Sequence, residues 1–349
     1  MSGLFAVNKP TGISSAGLLH DIQHVLSRSP LFAADLDAQA QRSAAGNKGR
    51  KRPRFSHKIK MGHGGTLDPL ASGVLIVGVG KGTKQLGSFL GCSKEYEAIA
   101  LFGIATDTYD SEGKIVSRCP CKHVTKALLE RTIAAQFRGD IMQTPPIYSA
   151  LKMQGKPLYE YAREGKPLPA EIKARPATVS RFDVTHVTTE HEWVEPKEEA
   201  AEEIRLAAQA LKTLKPDPET ELKHVTETEK TTESAKSDEK LVAVHLSMTV
   251  SSGTYVRSLI HDLGIAVGSA AHMVSLVRSR VGDYTLADAL PPSAFQDGSW
   301  ETRLSKTLQF EKSTDVKEAE EAARGPPASE KAIEGEALPA TGSKRSFAE

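Results

Sequence analysis

The chain has 349 residues, enough for two domains or for one large domain carrying insertions. Its 45 Lys and Arg nearly balance 44 Asp and Glu, for a net charge of +1, but the signs are segregated: a basic excess sits near Lys48–Lys60, and acidic excess near Glu192–Glu239 and in the tail. Overall neutrality therefore leaves an RNA partner open, since that needs only a local basic stripe, whereas no apolar stretch is long enough to span a bilayer. Three cysteines cannot build a disulfide framework and point to a reducing compartment. The N-terminus shows no secretory pattern.

In chain order, Gly3-Leu-Phe-Ala-Val-Asn-Lys-Pro-Thr-Gly12 reads as a strand ended by a Pro-Thr-Gly turn. Ser14 and Ser15 offer an N-cap for a helix carrying Leu18, Leu19, Ile22, Val25 and Leu26. From Ser27 the pattern dissolves, ending in the basic run Gly46-Asn-Lys-Gly-Arg-Lys-Arg-Pro-Arg54. That run fits a nuclear-import signal, a phosphate-contacting loop or a solvated linker. Lys60-Met-Gly-His-Gly-Gly-Thr-Leu-Asp-Pro-Leu-Ala-Ser-Gly-Val-Leu75 follows, leading into the apolar run Val74–Val79, which reads as a buried strand. Pro69 holds Asp68 extended, and Gly62, Gly64 and Gly65 leave room for close approach to the backbone. Asp68 is a candidate nucleophile or base, or simply a turn cap.

Thr83–Leu90 suits a helix, Tyr96–Gly103 a strand, Thr106–Gly113 a turn-rich loop and Lys126–Phe137 a helix. Gln143-Thr-Pro-Pro-Ile-Tyr-Ser-Ala-Leu-Lys152 cannot be a regular helix across its two prolines. Leu158–Arg163 reads as a short helix and Thr178–Val187 as a strand. Residues from about Glu192 to Lys240 have a disorder composition, with one helical patch at Ala200–Leu214. Leu241–Val250 then alternates cleanly, with Val242, Val244, Leu246, Met248 and Val250 on one face, so the acidic block reads as an insertion between sheet strands. A helix is expected from the Ser-Gly-Thr entry at Gly253 to Gly264, and a disordered charged tail from about residue 311.

Cys119-Pro-Cys121 with His123 lacks the second ligand pair of a structural zinc site, so no metal is expected. The glycines around His63 lack the Lys-Ser/Thr of a phosphate-binding loop. Scattered Tyr96, Tyr148, Lys152, Tyr255, Arg257 and Arg278 supply the aromatic faces and cations with which RNA enzymes stack a displaced base and hold phosphates. Each has a plainer reading, Tyr96 as a strand aromatic and Arg257 as a surface helix charge. A buried arginine beside Asp68 would hold that carboxylate ionised.

These motifs resemble those of the TruB-type pseudouridine synthases. The resemblance is carried by Gly62-His-Gly-Gly-Thr-Leu-Asp-Pro-Leu-Ala-Ser-Gly73, Asn8-Lys-Pro-Thr-Gly12, the Tyr96 strand, Pro146-Ile-Tyr-Ser-Ala-Leu-Lys152 with Gly155–Gly165, and Ser252-Gly-Thr-Tyr-Val-Arg257. They run in the family's order over most of Met1–Tyr284, and the basic insertion is similar to that of fungal members. The resemblance implies an α+β fold, a mixed, largely antiparallel central sheet flanked by helices. It implies one catalytic domain over 1–310, with polar insertions at about 28–58 and 192–240. The expected activity is conversion of uridine to pseudouridine in the T-loop of tRNA, at position 55, without cofactor or metal.

By the same resemblance Asp68 is the nucleophile, attacking the base or the ribose, Tyr96 stacks on the flipped base, and Arg257 pairs with the aspartate. His63, Tyr255, Leu276, Lys9 and Lys152 are expected to contact substrate. The expected partner is the tRNA T-arm stem-loop, with messenger RNA left open, for a monomeric protein in the nucleus and also in mitochondrion or cytoplasm. Too little ordered chain follows Tyr284 for the C-terminal RNA-binding domain of many relatives, which counts against an RNA-guided synthase. A non-catalytic RNA-folding chaperone is the other alternative, and an intact Asp68–Tyr96–Arg257 set argues for chemistry.

Overall fold

A computed structural model describes residues 1–45, 58–202, 204–205 and 240–308. The basic run at Lys48–Arg54, most of the acidic insertion with its expected helical patch, and the tail lie outside the described residues.

The chain opens with strand β1 (Gly3–Lys9) and helix α1 (Ser15–Leu26). Ser14 caps α1 by accepting a hydrogen bond from the Gly17 amide, and Leu18, Ile22 and Leu26 form its buried stripe. The stretch from Ser27 does not dissolve as expected. It continues as a 3-10 turn at Pro30–Phe32 and then helix α2 (Ala33–Ala45), because Ser29 caps the turn and Phe32 inserts completely into the core. The polar insertion is thus helical over its first half.

Strands β2 (Met61–His63) and β3 (Ser72–Val79) follow, then helix α3 (Leu86–Gly91), which takes only part of the Thr83–Leu90 segment; the rest belongs to a 3-10 turn at Gly80–Gln85. Next come β4 (Lys94–Phe102), the hairpin β5 (Ile104–Thr106) and β6 (Ile115–Arg118), α4 (Lys126–Gln136) and β7 (Gly139–Gln143). A small hairpin, β8 (Lys152–Met153) and β9 (Lys156–Pro157), leads into α5 (Leu158–Arg163). The long pair β10 (Arg175–Thr188) and β11 (Val242–Val250) flanks the acidic insertion. Helix α6 (Val256–Ala266), β12 (Ala271–Val281), β13 (Tyr284–Thr285), α7 (Ala294–Asp297) and α8 (Trp300–Thr307) complete the described chain. Gly264 does not end α6 as expected: a Cβ there would meet the Ala271 amide at 2.6 Å, so this glycine lets β12 pack on the helix, and the left-handed turn falls at Gly268.

The main sheet runs β1-β3-β12-β4-β11-β10-β7, with β2 on β3 and β13 on β12. Among the pairings of these named strands only β3–β12 is parallel. Val242, Val244, Leu246, Met248 and Val250 do share one face, packed with Phe182 and Val184 of β10 beneath α4 and α6. At the other end Phe5, Val7, Leu75 and Val77 pack against α1, Phe32 and Trp300. The described residues form one compact unit.

Candidate active site

The connection from β2 to β3, which carries Asp68, is fastened at both ends by buried cations. Lys9, at the end of β1, is fully buried, and its ammonium donates to the carbonyls of Ile13 at 2.6 Å, Pro10 at 2.8 Å and Pro69 at 3.3 Å. Arg278, in β12, donates to Val74 O at 2.8 Å, Gly65 O at 3.1 Å and Thr66 O at 3.4 Å. The Ser15 hydroxyl both donates to Leu67 O and accepts from Leu67 N at 2.8 Å. Gly12 N donates to Pro69 O and the Thr11 hydroxyl to Leu70 O, each at 2.8 Å. These bonds occupy most of the loop's backbone, so Asp68 is displayed on a fixed support. The glycines expected to admit a ligand here admit the protein itself: a Cβ on Gly64 would lie 2.9 Å from the Phe89 side chain, and one on Gly73 would lie 2.3 Å from Arg278 O.

Arg257 approaches from the first turn of α6. Its Nη2 lies 2.9 Å from Asp68 Oδ2 and its Nε 3.6 Å from Asp110 Oδ2. Nη1 donates to Thr108 O at 2.7 Å and Nη2 to Tyr148 O at 2.8 Å. The guanidinium is buried with 6% of its side chain exposed, as is Asp110 at 7%, whereas Asp68 is 40% exposed. One carboxylate is thus a buried partner and the other faces outward, both on one cation. Burial raises the Asp110 pKa, against the pull of Arg257 and of the Thr108 hydroxyl. Asp110 lies in the expected turn-rich loop, whose Tyr109 takes a left-handed φ of 65° and stacks on His261 of α6, ring centroids 3.9 Å apart.

Tyr96, in β4, pairs with Arg278 of β12 and with Met248 of β11. Tyr96 and Leu276 are buried in the same apolar cluster as Leu67 and Ala71, which bracket Asp68 in sequence. Tyr255 caps α6, and Gln143 clamps its backbone, with Oε1 accepting from Tyr255 N at 2.7 Å and Nε2 donating to Tyr255 O at 3.0 Å. His63 is half-buried in β2, its pKa lowered by burial and then by Arg278, so it is neutral at pH 7. Lys9, expected on the substrate, is instead enclosed: each ammonium hydrogen has a carbonyl, and burial pushes its pKa down to about 8. Lys152 is exposed on the β8–β9 hairpin. Asp110, Thr108 and Gln143 were not legible as site residues, and Ser15, expected as a helix cap, instead holds Leu67, since each acts on a partner distant along the chain.

Two family models match. The first, the N-terminal domain of TruB family pseudouridylate synthases, covers residues 52–203, including Asp68, Tyr96 and Asp110. The second, the C-terminal domain of tRNA pseudouridylate synthase B, covers residues 257–310. A curated relative, tRNA pseudouridine synthase 4 of Schizosaccharomyces pombe, is 40% identical across 88% of this chain and 86% of its own length. The chain belongs to the TruB family of pseudouridine synthases. It is also similar to tRNA pseudouridine synthase 4 of Saccharomyces cerevisiae, at 39% identity over 82% of this chain and 78% of that one. A bacterial relative, tRNA pseudouridine synthase B of Corynebacterium aurimucosum, is 33% identical over 85% and 72%. The second model begins at Arg257 and runs through β12 to α8, so the ordered chain beyond Tyr284 belongs to a family segment.

Proposed function

We propose that this TruB family member isomerises uridine to pseudouridine in tRNA, at position 55 of the T-loop, with Asp68 as nucleophile. The observation that carries the assignment is the outward-facing Asp68 carboxylate held 2.9 Å from a buried guanidinium on a loop with no freedom to retreat. An oxygen of Asp68 attacks the uracil ring or ribose C1′, and the N1–C1′ bond breaks. The uracil turns, C5 bonds to C1′, the bond to Asp68 breaks and returns its electron pair to the carboxylate, and the C5 proton is replaced on the ring by one at N1. The bond changes balance without oxidant, reductant or co-substrate. Arg257 holds Asp68 ionised and oriented. The Tyr96 ring is the stacking platform and its hydroxyl the candidate acceptor of the C5 proton. His63, Tyr255, Leu276 and Lys152 line the approach of the T-arm, while Lys9 acts on substrate only through the Asp68 loop.

The same reading assigns residues 1–310 to one catalytic domain of a monomer and places the protein in the nucleus on the strength of its basic run, with a second pool in the mitochondrion or cytoplasm. Asp68→Asn tests the central assignment. It is expected to bind a T-arm stem-loop nearly as wild type does and to lose turnover, measured as pseudouridine formed in a single-turnover reaction. A rate within about tenfold of wild type removes Asp68 from the role of nucleophile.

A further inference from the structure

On the side of the sheet away from α4 and α6, two histidines stand directly opposite each other. His186 of β10 pairs in register with His245 of β11. Their placement depends on a β-bulge. Val184 pairs with Leu246 and His186 with the next residue, His245, so Thr185 is the extra residue on β10. Without that extra residue the alternation of β10 would turn His186 into the core, where Val184 and Val187 already pack. The bulge is fastened by the Thr185 hydroxyl, which donates to His245 O at 3.1 Å. The two rings lie 5.6 Å apart between centroids at an interplanar angle of 68°.

We propose that His186 and His245 form a binding site for a divalent transition-metal ion, with Zn²⁺ and Cu²⁺ as the borderline ions that imidazole nitrogen selects. Two imidazoles sharing one tetrahedral ion through bonds of about 2.0–2.1 Å place their ring centroids about 5 Å apart, so the observed spacing needs only a small side-chain adjustment. The backbone needs none, because both histidines sit within paired strands. Neither ring has a carboxylate ion-pair partner among the described residues. Asp183 is engaged by Arg138 and Arg181, Arg181 also donates to the Ser247 hydroxyl, and Glu97 stands across from Ser247 on β4. No group of three or more His, Cys, Asp or Glu among the described residues is placed to hold a metal. The pair therefore supplies two ligands and water completes the sphere, which makes the site open and exchangeable. It lies two residues before the end of β10 and three after the start of β11, at the base of the acidic insertion. A bound ion would staple that base.

The test uses the full-length protein stripped of metal, melted at pH 7.5 with and without added Zn²⁺, beside His186→Gln, His245→Gln and a control His20→Gln. At a Zn²⁺ concentration about a hundredfold above Kd, wild type and the control are expected to gain about 5 °C in Tm, and both site variants to gain none. Equilibrium dialysis is expected to find one ion per wild-type chain with none retained by either variant at the same free concentration. No rise in the wild type overturns the site. An equal rise in wild type and both site variants overturns it as well, and moves the binding to the cysteines or other histidines. Should a variant lose stability without metal, His186→Asn and the dialysis stoichiometry decide the matter.

Discussion

Replacing Asp110 by asparagine separates what this carboxylate does for catalysis from what it does for folding. At 3.6 Å from Arg257 its gross attraction is about 5 kcal/mol at an effective dielectric of about 20. Burying a carboxylate costs several kcal/mol in return, and the raised pKa shows that burial outweighs the attraction. Asparagine keeps the acceptor oxygen used by the Thr108 hydroxyl at 2.6 Å and by Glu112 N at 3.2 Å. Asp110→Asn is therefore expected to change folding stability by no more than about 1 kcal/mol, in urea titrations near neutral pH.

The catalytic effect is larger, because Arg257 loses one of the two charges that orient it. One charge-assisted contact is worth about 1.5–3 kcal/mol, which corresponds to a single-turnover rate about ten- to a hundredfold slower. The pH dependence has a definite sign. With the folded pKa raised above the ordinary 3.8, the unfolded chain ionises first as pH rises, and the folded chain holds more protons in that window. This group's contribution to stability therefore falls as pH rises through the window and is gone above the folded pKa. In the variant that fall disappears. A wild-type rate in the variant would show that Asp68 and the Thr108 and Tyr148 carbonyls orient Arg257 without Asp110. A loss of stability above about 3 kcal/mol would show that attraction, not burial, dominates at Asp110.

Tyr96→Phe is expected to bind a T-arm stem-loop normally but to react at least about a hundredfold more slowly, and Tyr96→Leu to bind more weakly by about 1–3 kcal/mol as well; affinity and single-turnover rate on both variants distinguish stacking from proton transfer. Lys9, with its pKa at about 8 against 10.5 unfolded, is neutral when folded and charged when unfolded between those values, so its contribution to stability rises with pH there. The ammonium's hold on Pro69 weakens over the same range, so the rate is expected to fall above about pH 8 without a matching fall in Tm from this group, and Lys9→Met should lack that alkaline limb. Gly73→Ala, at φ +107° with its new Cβ 2.3 Å from Arg278 O, is expected to cost about 3 kcal/mol or more in urea unfolding by forcing β3 from β12.

The sequence by itself determined most of the elements and the chemistry. Alternation alone placed β11 and its buried face, because five apolar residues at period two leave one way to face a core. The Asp68 motif was legible because Gly, Asp and Pro mark a turn through local backbone preferences. The helix α2 was not legible: its stretch is polar on average, and it is anchored by Phe32 entering a core assembled from β1, β3 and α8. Gly264 looked like a helix stop because only the arrival of β12 reveals it as a close contact. The same limit governed the site. Arg257 and Asp68 were suspected as a pair, but that Asp110 completes it, and that Lys9 turns inward on three carbonyls, depend on contacts between residues far apart in the chain. Whether a charge faces solvent or a buried partner is decided by desolvation, and burial exists only once the layers have packed.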